Sequence, residues 1–182
     1  YQLPVSFCGQ KRVRLVLSYE GSQAYSDGLL EAFDEKIGQA YSEIDDIPFP
    51  ASVQTEEEKA LYLSALFCCI ENYKECGDLK GFVAGCNYLN PLRTYYRDSY
   101  WTVLSTYAYD VSLVRQQICT LARGIAKDGT CPSAVSQDFS AFWGGHYDSP
   151  SFFAMMVYDY VNHSGDKAFL QEEINGKTIL DL

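Results

Sequence analysis

The 182-residue sequence lacks any run near the roughly 20 apolar residues that a membrane-spanning helix needs, and its opening residues do not read as a secretory leader. Basic residues are scarce: beyond Gln10-Lys-Arg-Val-Arg14 no Lys/Arg cluster occurs, and the net charge is −10. That balance argues against a nucleic-acid partner and against an anionic membrane surface. No G-x-S-x-G, P-loop or G-x-G-x-x-G is present, so the commonest serine-hydrolase and nucleotide signatures are missing. Only two histidines occur, His146 and His163, separated by a predicted helix, and no metal site is expected. Seven cysteines form an odd set without C-x-x-C spacing, since Cys68 and Cys69 are adjacent and Cys76 and Cys86 lie too far apart. Reduced, mostly buried thiols in a cytoplasmic protein are the expectation. No cofactor is implied.

What is present is aromatic and apolar enough to fill a core. Residues 3–19 alternate, with Val13, Leu15 and Leu17 on one face, and read as one or two short strands. Two strands alone are marginal. They look like the tail of a β domain, and the absence of an initiating Met fits further residues upstream. From residue 22 the period changes. Leu29, Leu30, Phe33, Ile37 and Tyr41 recur at helical spacing to about residue 44, and the prolines of Asp45-Asp-Ile-Pro-Phe-Pro50 then break the chain.

Thr55-Glu-Glu-Glu58 has the form of a capping box and predicts a helix running to about Cys76, ended by Gly77-Asp78, with Leu61, Ala65, Cys68 and Ile70 facing the core. Residues 77–97 read as a long functional connection. Asp98 is placed to cap a helix over 99–107, and Asp110 to cap a second, with Val111, Val114, Ile118, Leu121 and Ile125 inward and Gly129 at its close. A second long loop covers 128–148. Asp148-Ser-Pro-Ser151 then starts a helix with Phe152, Phe153, Met156, Tyr160 and Val161 on its apolar face. Ser164-Gly-Asp166 punctuates before a short helix over 167–173 and a turn-like tail.

The densest chemistry lies at the end of the first loop. Between Arg93 and Trp101 the chain packs three tyrosines, two arginines, an aspartate and a tryptophan. The second loop offers Asp138, Phe142, Trp143, His146, Tyr147 and Asp148. Carboxylates accept hydrogen bonds from sugar hydroxyls, Arg donates in a fixed fork, and aromatic faces cover a pyranose. Glycoside hydrolysis needs a proton donor and a second carboxylate across the scissile bond, which Asp98 and Asp148 could supply if both loops open onto one site. Each residue also has a plainer reading. Asp98 and Asp148 also read as helix caps, Arg97 as a surface ion-pair partner, and Trp101 and Trp143 as core residues.

Tyr95-Tyr-Arg-Asp-Ser-Tyr-Trp101 resembles the Arg-Asp motif of six-hairpin glycosidases, particularly glycogen-debranching-type amylo-α-1,6-glucosidases and their glucoamylase and trehalase relatives. Tyr147-Asp-Ser-Pro-Ser-Phe-Phe153, followed by Tyr158 and Ser164-Gly-Asp-Lys-Ala-Phe-Leu170, is similar to a second motif of that group, and Gly85-Cys-Asn-Tyr-Leu-Asn-Pro91 to the approach to the first. The likeness spans roughly residues 80–175. It implies helical hairpins of an incomplete (α/α)6 barrel over 51–182, a linker helix and Pro-containing loop over 21–50, and a β-sandwich remnant over 1–20. It further implies a glycosidase acting on α-glucosidic or related oligo- or polysaccharides by general acid/base catalysis. Tyr96, Arg97, Asp98, Trp101, Trp143 and His146 would bind substrate, and Asp148 is the candidate acid. The remaining carboxylates belong to later hairpins, so the rest of the barrel, or a second chain, is the expected partner. The competing reading is a non-catalytic carbohydrate-binding or protein-interaction helical domain.

Overall fold

The structure, a computed structural model, describes residues 23–85 and 91–182. The expected strands of residues 3–19, Cys8, Cys86 and most of the glycine-tyrosine-proline approach lie outside the described residues. The fold is mainly helical with small antiparallel sheets. It divides into two compact units, up to Ile47 and Pro48–Leu182.

The described part of the first unit is two consecutive helices, α1 (Gln23–Glu31) and α2 (Phe33–Asp45). The period change at residue 22 is therefore real, but the single helix expected there is interrupted at Ala32. Backbone bonds Ala32 N–H to Gly28 O and Lys36 N–H to Ala32 O run across the break. The face that periodicity selects is covered only in part: Leu29 and Phe33 are half-buried, and Leu30, Ile37 and Tyr41 are exposed.

The second unit begins with α3 (Glu56–Ile70). Its capping box forms as expected: Thr55 Oγ1 accepts from Glu58 N–H, and Glu58 Oε2 accepts from Thr55 N–H at 2.9 Å. Two expectations for this helix fail. It ends six residues before Cys76, and its buried residue is Leu66, whereas Leu61, Ala65 and Cys68 face outward. α3 is apolar nearly all round, so periodicity alone cannot choose the inward face. The residues expected to be its last turn form a hairpin, β1 (Tyr73–Cys76) with β2 (Leu79–Phe82), in register Cys76↔Leu79. Gly77 supplies the left-handed backbone of the two-residue turn, with φ +59°, which a glycine adopts without strain.

Three helices then build the core: α4 (Tyr96–Thr106), α5 (Val111–Arg123) and α6 (Ser149–Ser164). Val114, Ile118 and Leu121 of α5 are fully buried, as their spacing requires. They meet Tyr96, Tyr100 and Val103 of α4 and Phe153, Met156 and Tyr160 of α6. Asp110 caps α5 through Ser112 N–H at 2.8 Å. α5 closes at Gly124, earlier than expected, where a Cβ would sit 2.2 Å from Val135 Cγ2. Pro150 occupies the first turn of α6, and Gly165 ends it in the left-handed conformation.

Contacts fix the helix directions. Arg97 meets Asp148, Trp101 meets Phe152, and Tyr107 meets His163, so α4 and α6 run parallel. Tyr96 at the start of α4 donates to Leu121 O near the end of α5, so α5 runs antiparallel to α4. The two long loops are not structureless. β3 (Arg93–Tyr95), β4 (Pro132–Ser136) and β5 (Ala141–Gly145) form one antiparallel sheet in the order β3-β4-β5.

Beneath this sheet a buried polar network ties β2, β3, α4 and α5 together. Gln117 Oε1 accepts from Phe82 N–H at 2.6 Å, and its Nε2 donates to Thr94 Oγ1 at 3.0 Å. Thr94 in turn bonds Phe82 O and Ser99 Oγ. Past α6, a 3₁₀ turn (Lys167–Gln171) leads to a small hairpin of β6 (Glu173–Ile174) and β7 (Lys177–Thr178). The short helix expected over 167–173 is thus tighter and shorter than α. Among the described residues, five cysteines are free, and only Cys131 is buried. No described helix is long and apolar enough to cross a membrane.

Candidate functional site

β3 runs straight into α4 and β5 leads, through three residues, into α6, while β4 lies between them. Because α4 and α6 are parallel, this sheet gathers the starts of both helices, and with them both aromatic loops, at one rim. Arg97 is the second residue of α4, and Asp148 immediately precedes α6. Arg97 Nε donates to Asp148 Oδ2 at 2.6 Å, and Nη2 donates to the same oxygen. The other carboxylate oxygen, Oδ1, lies 2.5 Å from His146 Nδ1.

Asp148 stands at the N-cap of α6 yet makes no side-chain capping bond. Its oxygens are turned to Arg97 and His146 instead. Partial desolvation works against the charged carboxylate, but the bonds from Arg97 and His146 prevail and hold it below the usual carboxylate range. Asp148 is therefore an anion at neutral pH. A general acid needs a proton to give, and the surroundings of Asp148 disfavour one; an accepting role suits it better.

Aromatic residues stand on either side of the ion pair. One turn into the helices, Trp101, 59% exposed, packs edge-on to Tyr100 and Phe152 at 5.2 and 6.0 Å between ring centroids. On the sheet, Trp143, 65% exposed, packs against Tyr95 and Phe142 at 6.0 and 5.1 Å. Trp143 owes its position to a β-bulge. Between the pairs Pro132↔Gly145 and Ala134↔Phe142, β5 advances one residue more than β4, and Trp143 takes φ +54°. Arg93 buttresses this side, its guanidinium 4.6 Å from the Phe142 ring centre and its Nε donating to Tyr95 Oη.

The structure thus brings Arg97, His146 and Asp148 into direct contact and leaves Trp101 and Trp143 open beside them. Asp98 is the third residue of α4 and not its cap, a position that Tyr95 takes with its backbone. Its carboxylate is exposed and accepts no hydrogen bond among the described residues. Tyr96 is a correction. It is 0% exposed, its hydroxyl donates to Leu121 O at 2.7 Å, and burial pushes its phenol far up, so it is a core residue with no face for a ligand. Asp138 spends its carboxylate on the Ser140 amide and hydroxyl. Phe152, which periodicity assigns to the core face of α6, also completes the Trp101 shelf with its ring. The signal for it was present: Trp101 lies four residues after Arg97, and Phe152 four after Asp148, the spacing that stacks side chains on one helical face.

Among the described residues no group of three or more His, Cys, Asp or Glu could hold a metal ion. No family model matches the chain, and no curated protein and no solved structure matches it.

Proposed function

We propose that the chain is part of a glycoside hydrolase that binds an α-glucosidic or related saccharide at the rim formed by the starts of α4 and α6. One observation carries the reading: two Asp-bearing, aromatic-rich segments 51 residues apart head parallel helices and meet through Arg97 and Asp148, with exposed tryptophans on either side. A pyranose has apolar ring faces and an equatorial belt of hydroxyls, and this arrangement offers aromatic surface beside charged hydrogen-bonding groups.

In this reading Arg97 and Asp98 hold sugar hydroxyls, Trp101 and Trp143 cover ring faces, and His146 and Asp148 supply the accepting side of general acid/base chemistry. The proton donor comes from a carboxylate in later hairpins. The helices of the second unit are then the first part of an (α/α)6 barrel in a cytoplasmic enzyme, completed by further chain or by a second chain. Two parallel helices separated by an antiparallel one are what successive hairpins of such a barrel require.

The test is calorimetric titration of the intact protein with maltotriose, together with release of glucose from it. Binding and turnover that both fall in Asp98→Asn and Asp148→Asn, with the fold retained by circular dichroism, support the enzyme. Binding without turnover favours the non-catalytic carbohydrate-binding alternative. Absence of binding by the wild-type protein sinks both.

A further inference from the structure

Asp148 is unusual among helix-capping aspartates in that neither oxygen serves the helix. Oδ2 takes two donors from Arg97, and Oδ1 faces His146 Nδ1 at 2.5 Å. An ionised carboxylate can only accept, so the proton between Asp148 and His146 belongs to Nδ1. In a neutral imidazole the other nitrogen, Nε2, then carries a bare lone pair.

Two attachments orient the ring. Its backbone N–H donates to Cys131 O at 3.0 Å, extending the β4–β5 pairing by one residue, and its Nδ1 is fixed by Asp148. Nε2 bonds no described residue, and the side chain is 41% exposed. Both oxygens of Asp148 are engaged by Arg97 and His146, whereas the imidazole Nε2 is an accepting atom at the same rim with no partner among the described residues.

We infer that His146 Nε2 is the ligand-facing hydrogen-bond acceptor of this site, taking a hydroxyl from the ligand, and that Asp148 is a positioning residue acting through it. The identity of the ligand as a saccharide rests on the function proposed above; the state of the imidazole does not.

Two measurements test this, and the first needs no ligand. Long-range ¹H–¹⁵N correlation on the intact, histidine-labelled protein at neutral pH should show His146 with its proton on Nδ1, the signal being assigned by its loss in His146→Gln. Asp148→Ala should release the ring toward the Nε2–H form. A wild-type ring protonated on Nε2 alone, or a tautomer unmoved by Asp148→Ala, overturns the inference.

The second measurement is carbethoxylation, which attacks an accessible unprotonated imidazole nitrogen, mapped by mass spectrometry. His146 should react readily, and maltotriose should slow its modification several-fold. Affinity for maltotriose should fall about tenfold in His146→Ala, the loss of one good hydrogen bond, and added imidazole should restore part of it. An unreactive His146, or maltotriose binding unchanged in His146→Ala, overturns the assignment. If wild-type protein binds no maltotriose, the saccharide reading fails, and the tautomer and the reactivity still decide the role of His146.

Discussion

Arg97 Nε stands 2.6 Å from Asp148 Oδ2, joining the first turn of one helix to the head of another across 51 residues of sequence. Both side chains remain partly open to solvent, so the pair contributes little to stability. Arg97→Ala should lower unfolding free energy by no more than about 1 kcal/mol. Its effect on maltotriose affinity should be larger, about tenfold. Arg97→Lys should not recover it, because an ammonium cannot reproduce the guanidinium fork. Urea denaturation beside calorimetric titration separates the two effects, and equal losses in both would count against a ligand-holding role.

Acid should unmask Asp148. Its carboxyl titrates below the ordinary range in the folded protein, so the unfolded chain binds this proton more readily than the native one. The resulting stability is fully present above the unfolded value and is lost as pH falls through the folded value. The urea midpoints of wild type and Asp148→Asn should therefore differ by a constant amount above about pH 5 and converge as the solution is acidified. A gap that widens on acidification would contradict the assignment.

Trp143 sits in backbone that a bulky residue dislikes, at φ +54°. Trp143→Gly should be more stable than Trp143→Ala by roughly 1 kcal/mol, because alanine keeps the left-handed strain and glycine removes it. Both variants should lose maltotriose affinity, since both lose the ring. Thermal denaturation decides the order, and a more stable alanine variant would mean the bulge relaxes once the indole is gone.

Gln117 makes the buried network under the rim complete. Gln117→Leu leaves Phe82 N–H without its acceptor and should cost roughly 1–3 kcal/mol. Substitutions at Gly81 should fail for a related reason, because a Cβ there would lie 2.5 Å from Gln117 Oε1. Urea midpoints of the purified variants test both statements, and a neutral Gln117→Leu would show that the strand amide finds another partner.

Tyr107 presents the opposite case. Its hydroxyl is buried without a hydrogen-bond partner among the described residues, and burial pushes the phenol well up. Tyr107→Phe removes the group and keeps the ring that packs on His163. The variant should be as stable as wild type or more so by up to about 1 kcal/mol, and a clear loss in the thermal midpoint would reveal a partner for the hydroxyl.

Helix signals that depend on one or two neighbouring residues were readable in the sequence. Thr55 with Glu58, Asp110, Pro150 and Gly165 all act where local chemistry places them. The described strands were not readable. Each has five residues or fewer, and β5 carries a bulge, so alternation never accumulates enough turns of its period to stand out from a loop. For the candidate site, residue types pointed to two segments that the fold brings into contact, but orientation needed tertiary structure. Tyr96 and Arg97 are adjacent on α4, and successive helical residues point about 100° apart, so one fills the core while the other reaches the rim. The ion pair of Asp148 was hidden similarly, because an Asp before Ser-Pro reads as a cap until a distant Arg draws its carboxylate away.

The β3-β4-β5 sheet works as a crossbeam. It is fixed to the start of α4 through β3, to the end of α5 through the Gly124–Val135 approach, and to the start of α6 through β5. A loop-borne site would have to be stilled by its ligand, with the ordering of each residue subtracted from affinity. Here hydrogen-bonded strands span the gap, so on the proposed reading the Arg97 and Asp148 halves need no assembly on binding. Chain insertions between β4 and β5, at the turn around Phe139, should therefore disturb recognition through leverage on the beam, without touching a single residue of the rim.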